Sequence, residues 1–325
     1  MKILIAGAGG FIGGHLAKKL ANKHAIIAVD IKPFSEWYQR VEAPHVTNMV
    51  VDCRDKNNIL QLLDGVGRVY NLACNMGGMG FIQNNHVECL ESVLIQTNFI
   101  PAMRDMGKLG PKEIFYSSSA CAYPQEIQGD VDSVALKESD AYPANPEDGY
   151  GWEKLFSEII TDYSIKDCGI NPRVFRFHNC YGPHGTWKGG REKAPAAMCR
   201  KVAEAKLNGT KEIEIWGDGE QTRSFMYIDD CITGLQRIWE VDYTSPLNLG
   251  SDEQVTINQL VDVAEEIAGI KLKRKYNLDA PQGVRGRNSD NTLIKEKLGW
   301  APSVSLKEGM EETYRWIFNQ VIQDI

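Results

Sequence analysis

A chain of 325 residues with 43% hydrophobic and 24% charged side chains has ample material for a large folded core, which excludes a disordered or low-complexity protein. Its formal charge of −7 argues against general affinity for nucleic acid or anionic membrane, and no run of about 18 apolar residues offers a membrane-spanning helix. Eight scattered cysteines without a Cys-x-x-Cys pair give neither zinc spacing nor a disulfide framework, and the six histidines lack metal-ligand spacing, so reduced thiols and no metal are expected.

In chain order, Lys2 to Ala6 reads as a buried strand, Phe11 to Asn22 as a helix and Ala25 to Val29 as a second strand ending at Asp30, which together make a βαβ unit. The start enters this strand with no basic and greasy leader, so a cytoplasmic protein is expected. Further strands are predicted at Asn48 to Val51, Arg68 to Ala73, Glu113 to Ser117 and Arg173 to Phe177, with helices at Val87 to Met106 and Tyr150 to Lys166. The fold class is α/β: a Rossmann-type doubly wound parallel sheet with a smaller mixed α/β substrate-binding lobe. Residues 1–178, with roughly 222–245, are assigned to the dinucleotide lobe, and 179–221 with 246–325 to the substrate lobe. Tyr181 to Gly190 is a Pro/Gly-rich loop and Ala194 to Ala205 a helix.

Between the first strand and the first helix stands Gly7-x-x-Gly10-x-x-Gly13. A dinucleotide pyrophosphate needs backbone N–H donors at a helix N-terminus and close approach, which residues lacking a Cβ allow. Phe11 and Ile12 open that helix. Asp30 stands where a carboxylate accepts from the adenosine ribose and repels a 2′-phosphate, which favours NAD over NADP. Asp52, closing the third strand, is a candidate adenine contact with a surface or capping role as its alternative, and Leu72 and Ala73, closing the fourth, complete the expected cofactor wall.

The second motif is Tyr150-x-x-x-Lys154, preceded by Ser117-Ser118-Ser119 at a strand end. One helical turn puts phenol and ammonium on the same face, where the ammonium and a positive nicotinamide would stabilise a phenolate. Tyr150 then takes a hydroxyl proton while Ser119 holds the same substrate oxygen.

The Gly7 to Gly13 loop, Ser119 and the Tyr150/Lys154 pair resemble the extended short-chain dehydrogenases that act on nucleotide sugars. The likeness narrows at Asn75 to Gln83, Ser118 to Pro124, Gly185 to Pro195, Trp216 to Gly219 with Gln221 to Phe225, and Gly283 to Asp290, which resemble stretches of the GDP-mannose 3,5-epimerase family. The resemblance implies tightly bound NAD, a GDP-hexose substrate, and transient oxidation of the sugar at C4 that acidifies the hydrogens at C3 and C5. It implies Cys121 as base and Lys193 as acid, and return of hydride to C4 after inversion. A thiol can be tuned by local cations and a partly buried lysine can serve as an acid.

By the same resemblance the substrate is held by Gly77, Ser119, Ala120, Cys121, Asn179, Glu192, Lys193, Ala194, Pro195, Lys201, Gln221, Arg223, Ser224 and one of Arg285 and Arg287. The run Lys188, Arg191, Lys193, Arg200 and Lys201, against Glu192 alone, offsets the acidic average where a diphosphate would sit. Ile31 to Pro44 departs from the family, and Asn75 stands where an acidic residue is expected. A homodimer packed through helices is implied. A nucleotide-sugar 4-epimerase, a 4,6-dehydratase and a non-catalytic NAD-sensing scaffold are the alternatives. The dehydratase wants an acidic pair next to Ser119, where Ala120-Cys121 offers none, and a scaffold has no use for Tyr150, Lys154, Cys121 and Lys193 together.

Overall fold

The run Ile3-Leu4-Ile5-Ala6 shows no polar alternation, the pattern of a strand covered on both faces, and it forms β1 (Lys2–Ala6) inside a parallel sheet. The computed structural model describes residues 1–324 and extends that sheet with β2 (Ala25–Asp30), β3 (Val46–Val50), β4 (Arg68–Asn71), β5 (Glu113–Ser119) and β6 (Asn171–Phe177). Four short strands follow: β7 (Cys180–Tyr181), β8 (Glu212–Trp216), β9 (Thr222–Ser224) and β10 (Met226–Tyr227). The chain then returns with β11 (Leu247–Leu249) to the sheet edge. The order β11-β6-β5-β4-β1-β2-β3, parallel at every pairing, is the expected doubly wound sheet. Its order reverses between β1 and β4, which opens a crevice at their carboxyl ends.

Helices α1 (Phe11–Leu20), α2 (Lys56–Leu62), α3 (Met79–Ile82), α4 (His86–Leu90), α5 (Val93–Asp105) and α6 (Asp148–Cys168) belong to this first part. The single helix expected over Val87 to Met106 is two, α4 and α5. Buried Ser92 lies at the break, where its hydroxyl accepts the Asn75 N–H at 2.8 Å and so ties the loop after β4 to the helix junction. Strand β5 runs two residues beyond its expected end, because Ser118 and Ser119 keep parallel register with Arg176 and Phe177. The serines are therefore part of the sheet rim.

The remainder contributes α7 (Ala194–Asn208), α8 (Ile228–Arg237), β12 (Gln254–Thr256), α9 (Ile257–Ala268), β13 (Lys273–Asn277), β14 (Gly286–Arg287), α10 (Thr292–Leu298) and α11 (Leu306–Asp324). Small sheets β12-β9-β14 and β13-β8 stand beside α7 and α9. One buried cluster joins Leu16 of α1 and Phe115 of β5 to Val202, Leu260 and Ile317 of these helices, while Leu4, Val69, Phe99 and Ile114 fill the opposite face of the sheet.

Polar groups inside the fold fix the height of α6 over the sheet. Arg176 on β6 grips the Glu158 carboxylate in a bidentate pair at 2.9 and 2.7 Å, and the Ser118 hydroxyl donates to the same carboxylate. Nearer the sheet rim, the Tyr116 hydroxyl donates to Glu153 at 3.0 Å. Desolvated charges that are paired and hydrogen-bonded fix geometry, and here they fix the helix that carries Tyr150 and Lys154. On its other side α6 leaves Trp152, Phe156, Ile159 and Tyr163 exposed in a row at helical spacing, next to exposed Val87, Leu90 and Leu94 of α4 and α5.

Candidate active site

At the crevice the chain turns from β1 into α1 over a cradle without side chains. Gly7 has φ of 86°, and a Cβ there would lie 2.8 Å from the Ala73 nitrogen. A Cβ on Gly13 would lie 2.1 Å from the Gly7 carbonyl oxygen. Gly10 caps α1 with no side-chain acceptor, which leaves the first-turn N–H groups for an anion. Gly7, Gly10, Phe11, Ile12, Gly13 and Leu72 line a cavity of about 230 Å³ that reaches Ser119 and Tyr150. Buried Asp30 ends β2 nearby and accepts the Lys32 N–H at 3.0 Å, while Lys32 itself reaches the cavity wall. The residues fit a dinucleotide. Ala73 supports the cradle from behind, whereas Asp52 is outside this wall and accepts from the Arg54 guanidinium at 2.8 to 3.1 Å.

Gly13→Ala tests the cradle. Backbone cannot yield as a flexible side chain can, so the substitution is expected to cost about 1–3 kcal/mol of stability. It is also expected to abolish measurable NAD binding, read by thermal unfolding and by calorimetric NAD titration. A stable variant that binds NAD normally would refute this assignment.

A second cavity, of about 240 Å³, opens on the other side of Tyr150, and both cavities share Met76, Gly77, Ser119, Tyr150, Phe177 and Lys193. Its wall brings together Ala120, Cys121, Asn179, Glu192, Ala194, Lys201, Gln221, Arg223 and Arg287 of the expected substrate residues. Pro195 is buried in the first turn of α7, and Ser224 is buried behind the wall, where its carbonyl accepts from Asn179 at 3.1 Å. Gln221 donates to the Trp216 carbonyl, and its own side-chain oxygen is buried without a partner. The two arginines two residues apart separate cleanly. Arg285 turns away into a bidentate pair with Asp218 at 3.1 Å, and Arg287 points inward to donate to the Cys121 sulfur at 3.3 Å.

Tyr150 is buried, and that burial raises its phenol well above the ordinary value, with Cys74, Cys121 and Glu153 adding to the rise and Ser119 opposing it. This departs from the lowering expected from Lys154. The reason is first the burial of the phenol and then the acidic and thiol groups around it, among them Glu153, whose carboxylate lies 3.4 Å from the Lys154 ammonium. Burial would lower Lys154, but Cys74 and Glu153 outweigh it and the ammonium stays charged. It lies 5.5 Å from the centre of the Tyr150 ring.

The basic stretch from Lys188 to Lys201 is partly neutralised within the protein. Lys188 pairs with Asp324, and Arg200 pairs with Glu192 at 3.0 Å and Glu204 at 3.1 Å. Arg191 lies over the Phe81 ring at 3.7 Å and donates to Asn75 at 2.7 Å, which latches this stretch onto the loop of Gly77. An amide serves at Asn75, since its oxygen accepts from Arg191 and its nitrogen donates to Glu88. Burial lowers Lys201, whose ammonium donates to the Glu214 carbonyl. Burial and the Arg287 charge lower Arg223 to about 10. Sequence reasoning missed Met76, Gly78, Met79, Phe177, Ile257 and Gln282 as walls, and Glu153, Glu147 and Gln128 as supports. The Asn75 to Gln83 stretch flagged three of these, while nothing in local spacing marks the acids or the glutamines.

The NAD dependent epimerase/dehydratase family matches residues 3–250. GDP-mannose 3,5-epimerase of Arabidopsis thaliana is 48% identical over 323 residues, covering 99% of this chain and 83% of that protein. GDP-mannose 3,5-epimerase 1 of Oryza sativa subsp. japonica is 49% identical, covering 99% of this chain and 82% of that protein. In fold the chain resembles the crystal structure of UDP-glucose 4-epimerase with UDP-glucose from Thermotoga maritima, at a TM-score of 0.86 and 24% identity, with 99% of this chain and 100% of that one covered.

Proposed function

We propose, for a chain that belongs to the NAD dependent epimerase/dehydratase family, that it epimerises a nucleotide sugar, GDP-mannose, at C3 and/or C5 to GDP-L-galactose and/or GDP-L-gulose. The observation that carries the reading is the meeting of the two cavities at Ser119, Tyr150 and Lys193, with Cys121 on the wall of the second. NAD, when bound along Gly7 to Gly13 and Asp30, supplies a reversible hydride acceptor. It belongs to the lobe of residues 1–178 with 222–245, and the sugar to the lobe of 179–221 with 246–325.

Tyr150 takes the proton of the C4 hydroxyl, Ser119 holds that oxygen, and Lys154 keeps positive charge next to the phenol. A carbonyl at C4 makes the neighbouring C–H bonds acidic, so Cys121 removes a ring proton and Lys193 delivers one to the opposite face. Lys201 and Arg223 hold the diphosphate, and the aromatic and methionine wall of Trp216 and Met79 covers the base. The 48 and 49% identity to GDP-mannose 3,5-epimerases supports the choice of GDP-mannose over other nucleotide sugars.

The exposed row Trp152, Phe156, Ile159 and Tyr163 with Val87, Leu90 and Leu94 supports a homodimer built through α4, α5 and α6, since monomers seldom leave so much apolar surface in one patch. Eight free cysteines support a reducing, cytoplasmic setting, and among the described residues no helix is long and apolar enough to cross a membrane.

Incubation with GDP-mannose, followed by chromatographic separation and NMR assignment of the sugars, tests the reading. GDP-galactose or GDP-gulose of L configuration is the expected product. GDP-talose alone would make the enzyme a 4-epimerase, and a 6-deoxy-4-keto sugar would make it a dehydratase.

A further inference from the structure

Arg287 is buried at 5% exposure, and each of its three nitrogens has a partner. Nε donates to Gln128 at 2.6 Å, one terminal nitrogen to the Cys121 sulfur at 3.3 Å and the other to Glu147 at 2.7 Å. Gln128 and Glu147 are both buried and stand outside the cavity wall, whereas Arg287 and Cys121 are on it. Gln128 is itself fixed, with its amide nitrogen donating to the Pro124 carbonyl at 2.9 Å, which turns its oxygen to Arg287. Glu147 leads into α6, and its N–H donates to the Cys121 carbonyl at 3.2 Å. A Cβ on Gly151 would lie 2.2 Å from that carbonyl oxygen, so α6 meets the thiol's own backbone with no slack. Sulfur, guanidinium and carboxylate are therefore held together by the Ala120–Ala122 turn, β14 and the start of α6.

We propose that Glu147 and Gln128 are positioning residues for the base, aiming one Arg287 N–H at the Cys121 sulfur and tempering the charge it presents there. The proposal rests on the reading of Cys121 as the ring base. An unopposed guanidinium at 3.3 Å would stabilise a thiolate strongly and weaken it as a base, because proton-transfer power falls with the stability of the anion. A carboxylate on the other terminal nitrogen of the same guanidinium offsets that charge, and Gln128 holds Nε without adding charge. The other ionisable groups facing this pair are Tyr150 from α6, Arg223 from β9, His178 after β6, and Glu192 and Lys193 before α7. Of these, Arg223 also feels the charge of Glu147, as does Asp148 next to it.

The test is the rate of iodoacetamide alkylation of Cys121 against pH, resolved from the other thiols by mass spectrometry of its peptide, on the full-length protein and on Glu147→Gln and Gln128→Glu. Glu147→Gln unmasks Arg287 and is expected to move the midpoint of the profile down by about one pH unit. Gln128→Glu adds a second anion and is expected to move it up. Opposite shifts are not produced by general loosening of the fold. Unchanged midpoints, or shifts in one direction, would overturn the proposal. If Glu147→Gln fails to fold, Gln128→Glu decides alone: an upward shift supports the proposal and an unmoved midpoint overturns it. Failure of the underlying reading shows itself separately, as ring-hydrogen exchange in sugar that survives Cys121→Ala.

Discussion

Tyr150→Phe is expected to lower turnover of GDP-mannose by about a thousandfold, within the range that one positioned acid–base group contributes. The phenol lines both cavities together with Ser119 and Lys193, where the two cavities meet. Burial raises it well above its ordinary value, so the Lys154 ammonium and the positive charge of a bound nicotinamide would have to lower it before it takes the hydroxyl proton. Removing one oxygen leaves the ring packed against Cys121, Phe81 and Ile82, so the thermal midpoint and KM are expected to stay near those of the parent. Steady-state kinetics with thermal unfolding on the same preparation checks this. Retained turnover would remove Tyr150 from the chemistry.

Cys121→Ala is expected to cut hydrogen exchange at the sugar ring by about a thousandfold while the protein folds and keeps its NAD affinity. Cys121 is outside the cofactor wall and belongs to the sugar cavity, so its loss should leave dinucleotide binding untouched. Arg287 gives up one partner but keeps Glu147 and Gln128, so no buried charge is orphaned. NMR of the recovered sugar reports the exchange and calorimetric NAD titration the affinity. A variant that exchanges as fast as the parent would move the base elsewhere on the wall.

The sheet was legible because its strands carry their own signature. Ile3 to Ala6 and Ala25 to Asp30 are apolar runs with a glycine cradle between them, and the cradle needs glycine for steric reasons visible in the spacing. Tyr150 and Lys154 were legible as one helical turn. Glu153, immediately before Lys154, was not read as its counterion, since helical spacing places neighbours in sequence on different faces and only burial forces this carboxylate toward the ammonium. Arg285 and Arg287 share parity in an extended segment, so alternation could not choose between them. The choice is made by Asp218, which captures Arg285, and by pairing of β14 with β9, which brings Arg287 beside Cys121. Glu147 and Gln128 come from loop segments without periodicity, and their meeting at one guanidinium is a property of tertiary structure alone. The helix break at Ser92 was likewise invisible, because its cause is a hydrogen bond to a loop that precedes it by seventeen residues.

In the proposed reaction a transient carbonyl opens a neighbouring carbon–hydrogen bond of the sugar ring to exchange with solvent. Incubating the enzyme with GDP-mannose in heavy water, and locating deuterium on the recovered sugars by NMR, reads that exchange carbon by carbon. Label is expected at C3, C5 or both, in product and in returned substrate, and none at C4. Inverted sugar free of carbon-bound deuterium, or label confined to C4, would rule out ring deprotonation beside a C4 carbonyl.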